Sequence, residues 1–154
     1  MQDILNVVTT PATGQAFTAT AVATNTIPLS VAGRDIGIGK DAVALRCHVV
    51  VAAGIAGTED YEIQIVSATA ADGTTGQVVL ATTGLITTAQ AATRLAAGAV
   101  VDLLLPPGVM PATATHYTMK LVGNNSPTIT LIASFQPMGS LQNWKPYPSA
   151  VTEI

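Results

Sequence analysis

Few residues in this chain have the types and spacing that chemistry requires. Gly37-Ile38-Gly39-Lys40 suggests a loop whose backbone N–H groups and lysine hold phosphate. The spacing does not fit. Such a loop needs a glycine five positions before Gly39, where Arg34 stands, and a magnesium-binding hydroxyl where Asp41 stands. The pattern that follows is that of a strand, not of a helix whose N-terminus could receive an anion.

Cys47 and His48 are adjacent, and in a strand neighbouring side chains point to opposite faces, so they cannot share an ion. The other histidine, His116, could meet His48 only across strands, and two histidines do not complete a zinc site. No serine lies in a Gly-x-Ser-x-Gly elbow. A paired-carboxylate mechanism has only Glu62 and loop acids to draw on. Asn124-Asn125-Ser126 matches a glycosylation sequon but reads more simply as a loop. These observations predict a protein that is not an enzyme and needs no cofactor or metal.

The remaining candidates are contacts. Arg34 and Asp35 could form a partner-facing ion pair, or Asp35 could hydrogen-bond its own glycine-rich turn. Trp144, the sole tryptophan, and Tyr147 stand among Pro146 and Pro148, with Lys145 between them. Large aromatics are poor choices for a solvated tail. Either they fold back on the domain or they anchor on another chain.

The elements that must position these residues are strands. Val43, Leu45, Cys47, Val49 and Val51 alternate with Ala44, Arg46 and His48, the period-two pattern of a half-buried strand. Tyr61, Ile63 and Ile65 are expected inward, with Glu62 and Gln64 outward. Similar runs cover 17–22, 77–82 and 100–105, the last stopped by Pro106-Pro107. Thr26 to Leu29 is a short extended piece that Pro28 restricts to an edge or strand end. Residues 117–122 and 128–135 read as a hairpin around Gly123 to Pro127. The Ala-rich stretch from Thr88 predicts one helical turn, to about Ala92, with strand resuming near Ala99. About eight short strands and no sustained helical period predict an all-β, jelly-roll-like antiparallel sandwich. It would span residues 17–136, flanked by an N-terminal arm (1–16) and a C-terminal arm (137–154).

Composition narrows the function. Of the 154 residues 49% are hydrophobic and 10% charged, against about 25% charged in ordinary domains. No charge occurs between Asp3 and Arg34, or between Lys120 and Lys145. So little charge suits a protein that works inside an assembly. A net charge of −3 with six Lys and Arg scattered along the chain argues against nucleic acid. The start lacks the pattern of a secretory signal, and the uncharged stretches are broken by Pro, Gly and Asn, which argues against a membrane span. A soluble protein not marked for export is expected. Cys47, alone on an apolar face, predicts a buried inert thiol.

Several segments together resemble one family. Thr18-Ala19-Thr20-Ala21, Thr24-Asn25-Thr26-Ile27 and Arg34-Asp35-Ile36-Gly37-Ile38-Gly39, with Gln142-Asn143-Trp144-Lys145-Pro146-Tyr147-Pro148 near the end, are similar to the capsid cement (decoration) proteins of tailed bacteriophages, of the Bordetella phage type. The resemblance implies a jelly-roll-like sandwich on the outer surface of the virion, made in the bacterial host. It would tie neighbouring major capsid protein subunits together and associate with itself, a dimer being the expected form. Trp144, Lys145, Tyr147, Arg34 and Asp35 are the expected partner-binding residues. A different class, a carbohydrate-binding sandwich of a phage tail or spike, would need a platform of exposed aromatics.

Overall fold

The computed structural model describes residues 7–10, 12–29, 45–55, 58–105, 109, 111–124 and 126–137. Within them lie nine strands and one helix: β1 (Gln15–Phe17), β2 (Ala21–Val22), β3 (Ile27–Pro28), β4 (Leu45–Ala53), β5 (Tyr61–Ala68), β6 (Val78–Thr82), α1 (Thr88–Arg94), β7 (Val100–Leu105), β8 (His116–Gly123) and β9 (Ile129–Pro137). They form two antiparallel sheets. The first has the order β1-β9-β4-β7 and the second β2-β8-β5-β6, with β3 also paired to β8. First strand pairs with last, β2 and β3 with β8, β4 with β7, and β5 with β6. One long antiparallel ribbon rolled into two layers gives this wiring. It is the jelly roll that the sequence predicts.

Alternation builds the core. On β4 the side chains of Leu45, Cys47, Val49 and Val51 are buried, while Arg46 and His48 are only half-buried on the outer face. On β5, Tyr61, Ile63 and Ile65 point inward and Glu62 and Gln64 outward, as expected. The inner faces bring these together with Leu103, Leu105, Met119, Leu131 and Phe135 in one cluster. The Cys47 thiol lies inside it, and burial, then the charge of Asp102, push its pKa up.

Four expectations change. First, 117–122 and 128–135 are not a hairpin: β8 belongs to the second sheet and β9 to the first. Both strands have one fully apolar face, so the turn between them can carry the chain across the core as readily as back along one sheet. Gly123 permits the crossing, since a Cβ there would lie 2.7 Å from the Pro127 ring. Second, residues 17–22 are not one strand, because the chain bends at Thr18–Thr20 and passes from β1 to β2, from one sheet to the other.

Third, part of the segment read as an N-terminal arm packs into the sandwich. Val7, Val8 and Thr9 are buried, Val7 bridges to Ser134, and the Val8 N–H donates to the Ala133 carbonyl at 3.0 Å. These residues continue the first sheet's edge beyond β1. Between the two pieces the chain loops out at Gly14, which has φ +78° and leaves no room for a Cβ, 2.9 Å from the Leu131 carbonyl oxygen. Fourth, α1 runs to Arg94, beyond the single turn expected. Ala91 and Leu95, four apart on one face, are both buried. Asp60, from the β4–β5 connection, accepts from the Thr88 N–H at 2.6 Å, satisfying a first-turn donor. Pro28 lies on an edge, as expected, since β3 pairs with β8 alone.

Candidate interaction surface

The two sheets present different outer faces. Over the second sheet the β5–β6 connection folds back. Gly73 is buried and sits against Thr118, so that a Cβ there would lie 3.2 Å from the Thr118 methyl. The Asp72 carboxylate holds this loop in shape by accepting from the backbone N–H groups of Thr74 and Thr75, at 2.8 and 3.1 Å. Those bonds favour the charged form and hold the Asp72 pKa well below the usual carboxylate range. Thr26 Oγ1 donates to the Ala71 carbonyl at 2.9 Å, and Lys120 Nζ donates to Gln77 Oε1 at 2.8 Å, fastening the loop to its sheet. Beside it, Glu62 accepts from Gln64 and Thr82, which lowers its pKa as well.

Among the described residues, nothing folds over the first sheet's outer face. The registers of β4 with β7 and β9 align three rows across it: Val100–Val50–Ile132, Asp102–His48–Ser134 and Leu104–Arg46–Gln136. The middle of this face is polar. His48 Nδ1 lies 2.7 Å from Asp102 Oδ1, Arg46 Nη1 lies 3.6 Å from Asp102 Oδ2, and Arg46 Nη2 donates to Gln136 Oε1 at 2.5 Å. Two exposed aliphatic side chains flank this stripe, Val100 at 53% and Leu104 at 54% of full exposure.

These residues lie on β7, the last strand of its sheet, and β6 is the last strand of the other. Val78 and Val79 of β6 are also close to half exposed. Among the described residues, this side of the roll therefore carries two strand edges, three exposed valines and Leu104. Neither β6 nor β7 contains a lysine or a proline, the residues that usually blunt an edge. A shallow cleft of about 170 Å³ opens elsewhere, lined by Asp60, Tyr61, Glu62, Leu85, Val122, Gly123 and Asn124. Its acids are engaged, Asp60 with Thr88 and Glu62 with Gln64 and Thr82.

The expected partner-binding residues Arg34, Asp35, Trp144, Lys145 and Tyr147 lie outside the described residues, as does the Gly37–Lys40 turn. The possible His48–His116 pairing is not formed. His48 faces Asp102 on the first sheet, whereas His116 Nδ1 shares a 2.8 Å hydrogen bond with Thr115 Oγ1 on the second sheet, on the other side of the core. Asn124 is structural, its Oδ1 accepting from the Asp60 N–H at 2.9 Å. Phe17, Tyr61, Tyr117 and Phe135 are all buried, so the described aromatics offer no stacking platform for a sugar. Sequence reasoning did not single out Asp102. An acid among the apolar residues of 100–105 was its visible signal, but its partners are 54 and 56 positions away in the chain, a separation only register can close.

A search of the curated proteins finds no match. A family model does match, over residues 11–124, which is well over half of the chain and includes the strands from β1 through β8. With its jelly-roll wiring and this match, the chain belongs to the Bbp16 family, a phage-related family that carries the name of a Bordetella phage protein.

Proposed function

We propose that this chain is a capsid cement (decoration) protein that binds the outside of an assembled phage shell and bridges neighbouring major capsid protein subunits. The observation that carries this reading is the open side of the roll. A jelly roll of a phage-related family, with 10% charged residues, exposes among its described residues two unblunted strand edges and a face of mixed aliphatic and polar side chains. Such a face suits a flat protein partner better than a small molecule. The rigid roll acts as a spacer, and self-association, as a dimer, doubles the contacts each unit makes.

The mechanism is binding alone. A specific contact of ordinary size buries about 1,200–2,000 Å². Repeating it on a lattice adds avidity without new chemistry. Because the cement engages subunits already held side by side, it lowers the free energy of the assembled shell relative to the separate subunits.

Co-sedimentation with purified shells that lack the protein tests this. The native chain is expected to pellet with them saturably, and Val79→Lys with Val100→Lys, which place charges on the open side, to reduce binding at least about tenfold, the effect of about 1.4 kcal/mol. Failure of the native chain to pellet with shells would overturn the reading.

A further inference from the structure

We infer that residues 7–9 form an exchangeable strand, which seats in its own roll when the protein is dilute and in the roll of a second copy when copies lie side by side. The inference rests on the self-association named above, not on the contact with the shell.

The slot for this strand is built from both sheets. The Val8 N–H donates to the Ala133 carbonyl of β9 at 3.0 Å, and the Val8 carbonyl accepts from the Asn25 N–H at 2.8 Å. Asn25 is held to the second sheet in turn, its carbonyl accepting from Thr118 Oγ1 at 2.8 Å. Thr9 Oγ1 accepts from the Ala133 N–H at 2.9 Å. Val7, Val8 and Thr9 are all buried, and Val8 belongs to the core cluster. Withdrawing them would leave the Ala133 and Asn25 donors unpaired and a valine-sized gap between the layers, both costly. The slot therefore stays filled. A second copy offers the same Val-Val-Thr, so the slot accepts it equally well from either source.

The turn at residues 10–14 decides which source is used. It joins the strand to β1 and is closed by the Gly14 N–H donating to the Thr10 carbonyl at 3.0 Å. Ala12 in this turn has φ +67°, and among the described residues no other non-glycine has a positive φ. The left-handed conformation disfavours the closed turn by about tenfold relative to glycine at that position. A short hinge under strain favours exchange, and a reciprocal pair releases the strain in both copies. Opened, the five residues of the turn span up to about 17 Å. Against this, so short a tether gives the chain's own strand an effective concentration of the order of millimolar. Closure wins in dilute solution. Exchange competes where self-association holds copies at a comparable local concentration. The strand lies on the β1 side of β9, away from β6 and β7, so exchange leaves the proposed shell-facing side untouched.

Cysteine pairs in the full-length protein test this. Val7 and Ser134 bridge across the ladder, within disulfide reach. A chain carrying both Val7→Cys and Ser134→Cys is expected to oxidise within the monomer when dilute. Chains carrying Val7→Cys alone and Ser134→Cys alone, equilibrated together at about millimolar concentration and briefly oxidised, are expected to give a mixed disulfide dimer that neither gives by itself. Cys47 is buried and does not compete. Adding Ala12→Gly to both chains should lower the yield of mixed dimer at least about tenfold. No crosslink in the double variant, no mixed dimer at millimolar concentration, or a yield indifferent to Ala12→Gly would overturn the exchange. Dimers that sediment as such without the mixed disulfide would overturn the exchange while leaving self-association standing, and a mixed dimer that does not pellet with shells would support the exchange while removing the capsid reading alone.

Discussion

Tyr117 and Phe135 meet edge to face across the core, ring centroids 4.7 Å apart and planes at 85°. They sit on consecutive strands, β8 and β9, yet in different sheets. The contact joins the two layers at the end remote from the β8–β9 crossing, since Tyr117 lies near the start of β8 and Phe135 near the end of β9. Edge-to-face aromatic pairs contribute about 0.5–1.5 kcal/mol beyond the area they bury. Urea unfolding of Tyr117→Leu, Phe135→Leu and the double variant should yield a coupling in that range. Phe135→Ala alone should cost about 3–5 kcal/mol.

Gly14 and Gly98 separate backbone strain from crowding. Both have positive φ, +78° and +86°, but a Cβ at Gly14 would lie 2.9 Å from the Leu131 carbonyl oxygen while at Gly98 it would meet nothing within 4 Å. Gly98→Ala should cost about 1–2 kcal/mol, the penalty of a left-handed L-residue. Gly14→Ala should cost clearly more, because β1 must also move off β9. Equal losses in chemical denaturation would contradict the close approach.

Acid should loosen the roll through its carboxylates. Asp72 and Glu62 both have pKa values lowered in the folded state, Asp72 by the backbone N–H groups of Thr74 and Thr75 and Glu62 by Gln64 and then Thr82. A lowered folded pKa gives stability that is complete above the unfolded value, about 4, and is lost as pH falls through the folded one. Melting temperature should therefore be flat from neutral pH down to about 5 and fall below that. Asp72→Asn should be less stable than the native chain near neutrality and show a shallower acid decline. An unchanged slope would contradict the part given to Asp72.

Asp102 joins β7 to β4 through Arg46 and His48, but its side chain is 39% exposed. Exposed pairs of this kind contribute about 0.2–1 kcal/mol. Asp102→Asn should fall within that range, and the difference should shrink in molar salt, where screening acts over about 3 Å. A larger, salt-insensitive loss would mean that the cluster is fixed more tightly than its exposure indicates.

How much of this was legible in the sequence follows from what alternation encodes. Period two at 45–51 and 61–65 identified the inward side chains of β4 and β5, and short strand-like runs separated by turn residues, with no sustained helical period, identified an all-β roll. Alternation names the apolar face of a strand but not the sheet it joins, so β8 and β9 read as a hairpin although the chain crosses there. Val7–Thr9 read as an arm because their partners, Ala133 and Ser134, are more than a hundred positions away. The full length of α1 was hidden for the same reason, since the carboxylate at its start comes from Asp60. Of the surface, Arg46 and His48 were placed outward from sequence, but their convergence on Asp102 required the β4–β7 register. The Arg34, Asp35 and Trp144–Tyr147 candidates came from residue type and resemblance, and they lie outside the described residues.

A density map of the assembled particle tests the central claim most directly. The account predicts this jelly roll on the outer surface, spanning the seam between neighbouring capsid subunits, with its β6–β7 side against the shell. Density for the chain inside the shell, in the tail alone or nowhere on the particle would contradict it.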